Sequence, residues 1–238
     1  MTLRAQASQN PVEIENAKPG TTDWKLTNPG WTSGVIEGYA DVTSVNRGGQ
    51  IKFFVNTSDP TYTIEIFRIG YYQGLGSRRM TSAVTLPGTK QTIPSPDPGT
   101  GLIECNWINP YVFTIPNSAD PTDWMSGYYY AKLTSSSGVQ SYVTFVVRDD
   151  SRSSDLILVQ AVTTAEAYNP WGGKSLYGTI KNRGDTANKS LKTSFHRPYY
   201  GDETWGAGQF SVQNDFKFWE WGMVQFLEQN GYNVTYAT

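Results

Sequence analysis

Asp155-Leu156-Ile157-Leu158-Val159-Gln160-Ala161-Val162 is the stretch whose reading decides the fold. Its centre, Leu156–Val159, is an unbroken apolar run, which belongs to a strand covered on both faces, as in a parallel sheet. Everything before it has a different grammar. Tyr62–Ile69 alternates strictly, with Tyr62, Ile64, Ile66 and Arg68 on one face and Thr63, Glu65, Phe67 and Ile69 on the other. Val35–Ser44 and Ile51–Asn56 also read as strands. Gly127–Thr134 and Gln140–Val147 read as a hairpin around Ser136-Ser137-Gly138. Short strands separated by turns predict an antiparallel β-sandwich.

Working outward, the polar segment Asp149–Ser154 marks a domain boundary. Beyond the apolar run, Asn214–Asn230 reads as a helix, with Phe216, Trp219, Met223, Phe226 and Leu227 on one face. Asn214 is its cap and Gly231 its left-handed stop. Asn233–Ala237 reads as a second strand, completing a crossover unit. The expected organisation is an irregular arm over 1–33, pinned by Trp24 and Trp31, a β-sandwich over 34–150, and a partial α/β segment over 151–238. Two strands and one helix cannot cover both faces of Leu156–Val159. The sequence therefore implies packing on the sandwich, a homo-oligomer, or a further segment that completes the sheet.

Composition narrows the function classes. The 238 residues are 38% hydrophobic, 14% aromatic and 17% charged, a mix that suits strand-and-turn proteins. The aromatics either fill cores or line a binding surface. A net charge of −2 without any Lys/Arg block argues against nucleic acid as a partner. No run of about 18 apolar residues exists, so no membrane span is expected. Met1–Gln9 shows no signal peptide. The single cysteine, Cys105, cannot form an internal disulfide and reads as a small buried hydrophobe.

Several motifs carry chemistry. Trp171-Gly172-Gly173-Lys174-Ser175 resembles the end of a phosphate loop, but Tyr168 stands where the first glycine is needed, and nucleotide binding is rejected. Ala167-Tyr168-Asn169 together with Gly172–Tyr177 follows the first parallel strand, the place where open α/β sheets bind ligands. Phe195-His196-Arg197-Pro198-Tyr199-Tyr200 offers an imidazole, a guanidinium and two phenols. Phenolates suit a hard, Lewis-acidic ion such as ferric iron. Gly70-Tyr71-Tyr72-Gln73-Gly74-Leu75-Gly76-Ser77-Arg78 is an aromatic loop at the sandwich edge that could face the second domain. Candidate substrate-binding residues are Tyr71, Tyr72, Arg78, Asn169 and Arg197, and candidate catalytic residues are His196 and Lys174. A carbohydrate-binding module and a non-catalytic surface or assembly protein are the competing readings.

Taken together, Glu15-Asn16-Ala17-Lys18-Pro19-Gly20-Thr21, Ile36-Glu37-Gly38-Tyr39-Ala40, Phe67-Arg68-Ile69-Gly70-Tyr71-Tyr72, Glu104-Cys105-Asn106-Trp107, Phe145–Asp150, Ala167–Asn169, Gly172–Tyr177 and Arg197-Pro198-Tyr199 resemble the C-terminal region of the large (β) subunit of N,N-dimethylformamidase and its relatives. The resemblance implies a β-sandwich followed by an α/β domain similar to the glutamine amidotransferases. It also implies hydrolysis of a small amide at a mononuclear iron held by two tyrosines and one glutamate. Tyr168 and Tyr199 match the two phenolate positions. On that reading iron would polarise the amide oxygen and acidify a bound water, and His196, by position, would carry the proton to the leaving amine. The family's carboxylate motif, a glycine-histidine segment followed by glutamate, has no counterpart here, which leaves the expected iron site incomplete.

Overall fold

The computed structural model describes residues 9–30, 34–182, 184–200 and 220–238. Expectations placed on Trp31, Asn214, Phe216 and Trp219 lie outside the described residues. The chain is β-rich, in several sheets, none of them closed. The arm is not wholly irregular. It contains α1 (Pro11–Asn16), whose cap Asn10 accepts hydrogen bonds from the Val12 and Glu13 amides, while the Glu13 carboxylate accepts one from the Asn10 amide. This reciprocal box, with proline at the first helical position, satisfies amides that a helix start otherwise leaves open.

The expected strand over 35–44 divides in two. β1 (Ile36–Ala40) pairs antiparallel with β3 (Gln50–Thr57), which pairs with the later strand Tyr111–Thr114 in a three-stranded sheet. After Asp41–Thr43 the chain changes sheets, and β2 (Ser44–Asn46) lies on the edge of a six-stranded sheet. That sheet also holds β4 (Thr61–Ile69), β5 (Ser77–Arg79), β6 (Val84–Pro87), and, after β7 (Tyr111–Thr114), β8 (Gly127–Ser135) and β9 (Gln140–Arg148). The β8–β9 hairpin runs in the register the sequence indicates, from Gly127↔Val147 to Thr134↔Gln140.

Period two explains the layering. Ile64 and Ile66 of β4, Ala131 and Leu133 of β8, and Val143 and Phe145 of β9 share one core with Ile36, Phe53 and Val55 of the smaller sheet. The alternate residues of the same strands, Phe67, Ile69, Tyr128, Tyr130 and Val146, form a second core with Val12 and Trp24 of the arm and with the C-terminal elements. The larger sheet is thus apolar on both faces, and the aromatic surplus fills cores.

The C-terminal elements are β10 (Leu156–Val159), α2 (Val162–Tyr168), the two-residue strands β11 (Lys174–Ser175) and β12 (Gly178–Thr179), α3 (Trp221–Gln229) and β13 (Val234–Ala237). β10 and β13 pair in parallel, from Leu156↔Val234 to Val159↔Ala237. The pairing is the expected one, but the two-sided cover is not seen: Ile157 is 64% and Val159 56% exposed. α3 buries Val224, Leu227 and Glu228 and leaves Met223 and Phe226 exposed, a face rotated from the one read in the sequence. Gly231 ends α3 at φ +69°, with its amide bonded to Glu228 and the Tyr232 amide to Leu227. A side chain at Gly231 would also meet Glu13 Oε1 at 2.9 Å. Gly231→Ala should therefore lower the unfolding free energy by roughly 1–2 kcal/mol, read by urea denaturation.

A buried polar network joins the arm, β4 and the C-terminal pair. Arg68 donates to Glu228 Oε1 at 2.7 Å and Oε2 at 3.1 Å, and neither side chain has accessible surface. Glu228 also accepts from the Tyr236 hydroxyl at 2.7 Å and from the Asn16 side-chain amide at 2.9 Å. Arg68 also donates to the Tyr72 hydroxyl, which donates to Glu15 at 2.7 Å, and Glu15 pairs with Arg78 at 2.6 Å and Lys18 at 2.9 Å. Burial pushes the Glu15 carboxyl up, but Arg68 and Arg78 outweigh it and hold it below its ordinary value of 4.5. A lowered folded value means that the stabilisation is complete above the unfolded value and is lost as pH falls through the folded one. Unfolding midpoints measured between about pH 5 and pH 3 should fall, and Glu15→Gln should flatten that slope.

Candidate functional site

The carboxyl end of β10 opens on Gln160, whose amide extends the ladder to the Ala237 carbonyl at 2.8 Å. α2 follows and leads into the Asn169–Lys174 loop. Four side chains fix this loop. Arg197, 1% exposed, pairs with Glu166 at 2.6 Å and donates to the carbonyls of Asn169 at 3.0 Å, Trp171 at 3.1 Å and Lys174 at 3.2 Å. A planar guanidinium with five donors can serve a carboxylate and several carbonyls together. Glu166 also accepts from Thr193 and from Asn169. Burial lifts its carboxyl above the usual range against the pull of Arg197.

Asn169 has no accessible surface. Its amide donates to the Pro198 carbonyl at 3.0 Å, and its oxygen accepts from the Tyr200 amide at 3.0 Å. It thereby grips the backbone on both sides of Tyr199. Trp171 ties the loop to the smaller sheet by donating to Glu37 of β1 at 2.7 Å. Gly172 sits at φ +77°, where a Cβ would come within 2.8 Å of Ile103, so glycine suits both the turn and the close approach.

Above the end of β10 lies a small cavity between α2 and the strands β1 and β9. Val42, Val143, Val162 and Ala165 give it apolar walls, and Gln160 and Tyr199 give it polar groups. Gln160 is 7% exposed and lines this cavity.

The residues expected from the sequence divide into three groups. Tyr199, Asn169, Arg197 and Lys174 converge here, though Asn169 and Arg197 are buried braces and Lys174 is half-buried with its carbonyl bound to Arg197. Tyr168 lies beside this cluster. Its ring stacks on Tyr177 at 4.0 Å and 3°, and burial and the Tyr177 phenol raise its own phenol above the ordinary value. His196 is half-exposed, stacked on Tyr39 at 6.2 Å, with its Nδ1 4.0 Å from Glu104. Its carbonyl accepts from the Cys105 amide at 2.7 Å, which brings together two residues that lie 91 positions apart. Cys105 is buried, and burial pushes its thiol up to about 12, so it is not a nucleophile near neutrality.

Tyr71, Tyr72 and Arg78 are elsewhere. Tyr72 is fully buried, Arg78 is bound to Glu15, and the backbone amides of Tyr71 and Tyr72 are held by Asn16. None of the three lines the cavity. Sequence reading missed Glu166 and Gln160. Gln160 had a usable signal, being the first polar residue past an apolar parallel strand, whereas Glu166 needed the fold to bring Arg197 to it.

Iron fits these residues only as a fragment of a site. Two phenols are suitable hard donors. The carboxylate of this loop, Glu166, is committed to Arg197, Thr193 and Asn169. No group of three His, Cys, Asp or Glu side chains among the described residues could hold a metal ion. The described donors therefore do not fit a mononuclear iron centre by themselves. Among the same residues no helix is long and apolar enough to cross a membrane.

No curated protein matches the chain. Among solved structures, a fungal alcohol oxidase of the AA5 family in complex with copper aligns at 20% identity and TM-score 0.28, over 45% of this chain and 19% of that one. An alkylpurine DNA glycosylase of Pseudomonas fluorescens bound to DNA containing an abasic site analogue aligns at 12% identity and TM-score 0.27, over 48% of this chain and 31% of that one. The chain thus spans well under half of either protein, and likenesses this slight bear on neither fold nor site. The informative match is to a family model described as N,N-dimethylformamidase beta subunit-like, C-terminal, over residues 63–238. That match spans most of the chain, from β4 through the Tyr168 and Tyr199 loops to β13, and the chain belongs to this family.

Proposed function

We propose that the cavity at the end of β10 is the amide-binding part of a hydrolase that cleaves the C–N bond of small amides. The observation that carries this reading is Gln160, a buried carboxamide residue that lines a small cavity together with Tyr199. A carboxamide has both a donor and an acceptor, and so matches an amide ligand at both of its polar atoms. The apolar walls suit N-alkyl groups, and the position, outside the carboxyl end of a parallel strand, is where α/β sheets bind ligands. Family membership supports the same substrate class. In the reaction water adds to the carbonyl carbon, and the C–N bond breaks as the nitrogen gains a proton. The candidates for proton transfer read from the sequence, His196 and Lys174, lie on the segments flanking Tyr199 and Tyr168 but do not line this cavity.

We read the two β layers as a sandwich and β10–α3–β13 as the start of an amidotransferase-like α/β layer. The exposure of Ile157 and Val159 supports a covering partner, either a further segment or a second copy. The carbohydrate reading has less support: of the five described tryptophans, Trp24, Trp107, Trp124 and Trp171 are buried, and a flat sugar platform needs several rings exposed together, which a single pocket ring such as Trp107 does not supply.

The test is amine release from N,N-dimethylformamide and smaller amides by the full natural polypeptide. Turnover should drop at least about tenfold in Gln160→Leu and in Tyr199→Phe without loss of fold. Absence of turnover on every small amide, or turnover indifferent to both changes, contradicts the proposal.

A further inference from the structure

The outer face of the smaller sheet carries a second pocket. Residues of β1 and β3 alternate, so Phe53, Val55 and Ala40 enter the core, while Tyr39 and its cross-strand partner Phe54 point the other way. Tyr39 stacks on Phe54 at 5.1 Å and 12°, and Trp107 lies 5.2 Å from it. The Tyr39 hydroxyl donates to the Cys105 carbonyl at 3.3 Å, which fixes the ring. The His196 ring completes the aromatic lining, and Asp41, two residues on from Tyr39 along the strand, adds a carboxylate.

The charge around this pocket is negative. Besides Asp41, Glu104 lies 4.0 Å from His196 Nδ1. Burial first, then Cys105, Glu104 and Asp41, hold the Tyr39 phenol up at about 12, which keeps it neutral. Among the described residues the nearby basic groups do not pair with Asp41. Arg197 is committed to Glu166, and Lys52, beside Asp41 across the ladder, makes no ion pair with it although its amide donates to Asp41 Oδ1 at 2.8 Å. Aromatic rings with a carboxylate, and no basic side chain paired to that carboxylate, are the chemistry that recognises an alkylated ammonium.

We propose that the pocket of Tyr39, Phe54, Trp107, His196 and Asp41 binds a small organic cation of the alkylammonium class. The proposal stands whether or not the cavity at β10 hydrolyses amides. The probes are choline and its neutral isostere 3,3-dimethylbutan-1-ol, titrated calorimetrically into the intact protein. Choline should bind saturably and at least about fivefold more tightly than the alcohol. Asp41→Asn should weaken choline binding at least about fivefold and leave the alcohol unchanged. Because Asp41 also accepts a backbone amide, Phe54→Leu, at a half-buried ring, is the second variant and should weaken choline more than the alcohol. Equal binding of the two probes, no binding of choline, or choline affinity unmoved in both folded variants overturns the proposal.

Discussion

Glu228→Ala should lower the unfolding free energy by about 3–5 kcal/mol, the largest loss expected of any single change near the C-terminus. The reason is what it leaves behind. Arg68 has no accessible surface and meets Glu228 through both terminal nitrogens, so removing the carboxylate strands a guanidinium where water cannot reach it. Asn16 and Tyr236 lose an acceptor as well. The effect should be smaller when both charges go: Arg68→Met combined with Glu228→Met removes the desolvation cost together with the attraction. Denaturant melts of the two single variants and the double variant give the comparison. A double variant worse than the sum of the singles contradicts the assignment of the loss to a stranded charge.

Arg197→Met should cost a similar amount, about 3–5 kcal/mol, and its effect should be concentrated in the loop. Arg197 satisfies Glu166 and three backbone carbonyls, those of Asn169, Trp171 and Lys174. Without it a buried carboxylate and these acceptors lose their donor, and the loop that presents Tyr168 loosens. Hydrogen exchange should accelerate at the amides of Gly173 and Leu176, which bond within this loop, before those of β8 and β9. Arg197→Lys should recover little, because an ammonium cannot span the carboxylate and the carbonyls together.

Much of the layering was legible because it rests on local period. The alternation in Tyr62–Ile69, the hairpin at Ser136–Gly138, the apolar run at Leu156–Val159 and the stop at Gly231 each appear where the residues indicate. What could not be read depends on partners distant in sequence. The change of sheet at Asp41–Thr43 has no periodic mark. Tyr72 and Arg78 looked like cleft residues because aromatic and basic groups in a glycine-rich loop carry no sign of burial, and Glu15 of α1 claims them only in the fold. The Asn10–Glu13 capping box was a readable signal within the arm expected to be irregular. The same holds at the site. The cluster of Tyr168, Asn169, Lys174, Arg197 and Tyr199 was visible as two motifs, but that Arg197 and Asn169 brace them follows from Glu166, a residue with no distinguishing neighbours in sequence.

The most direct measurement is a titration of N,N-dimethylformamide into isotopically labelled protein, following the side-chain amide resonances. Saturable shifts confined to the Gln160 carboxamide, the Tyr199 ring and the methyls of Val143, Val162 and Ala165 are the expected result. Shifts absent from Gln160, or centred on the Tyr71–Arg78 loop, contradict an amide pocket at the end of β10.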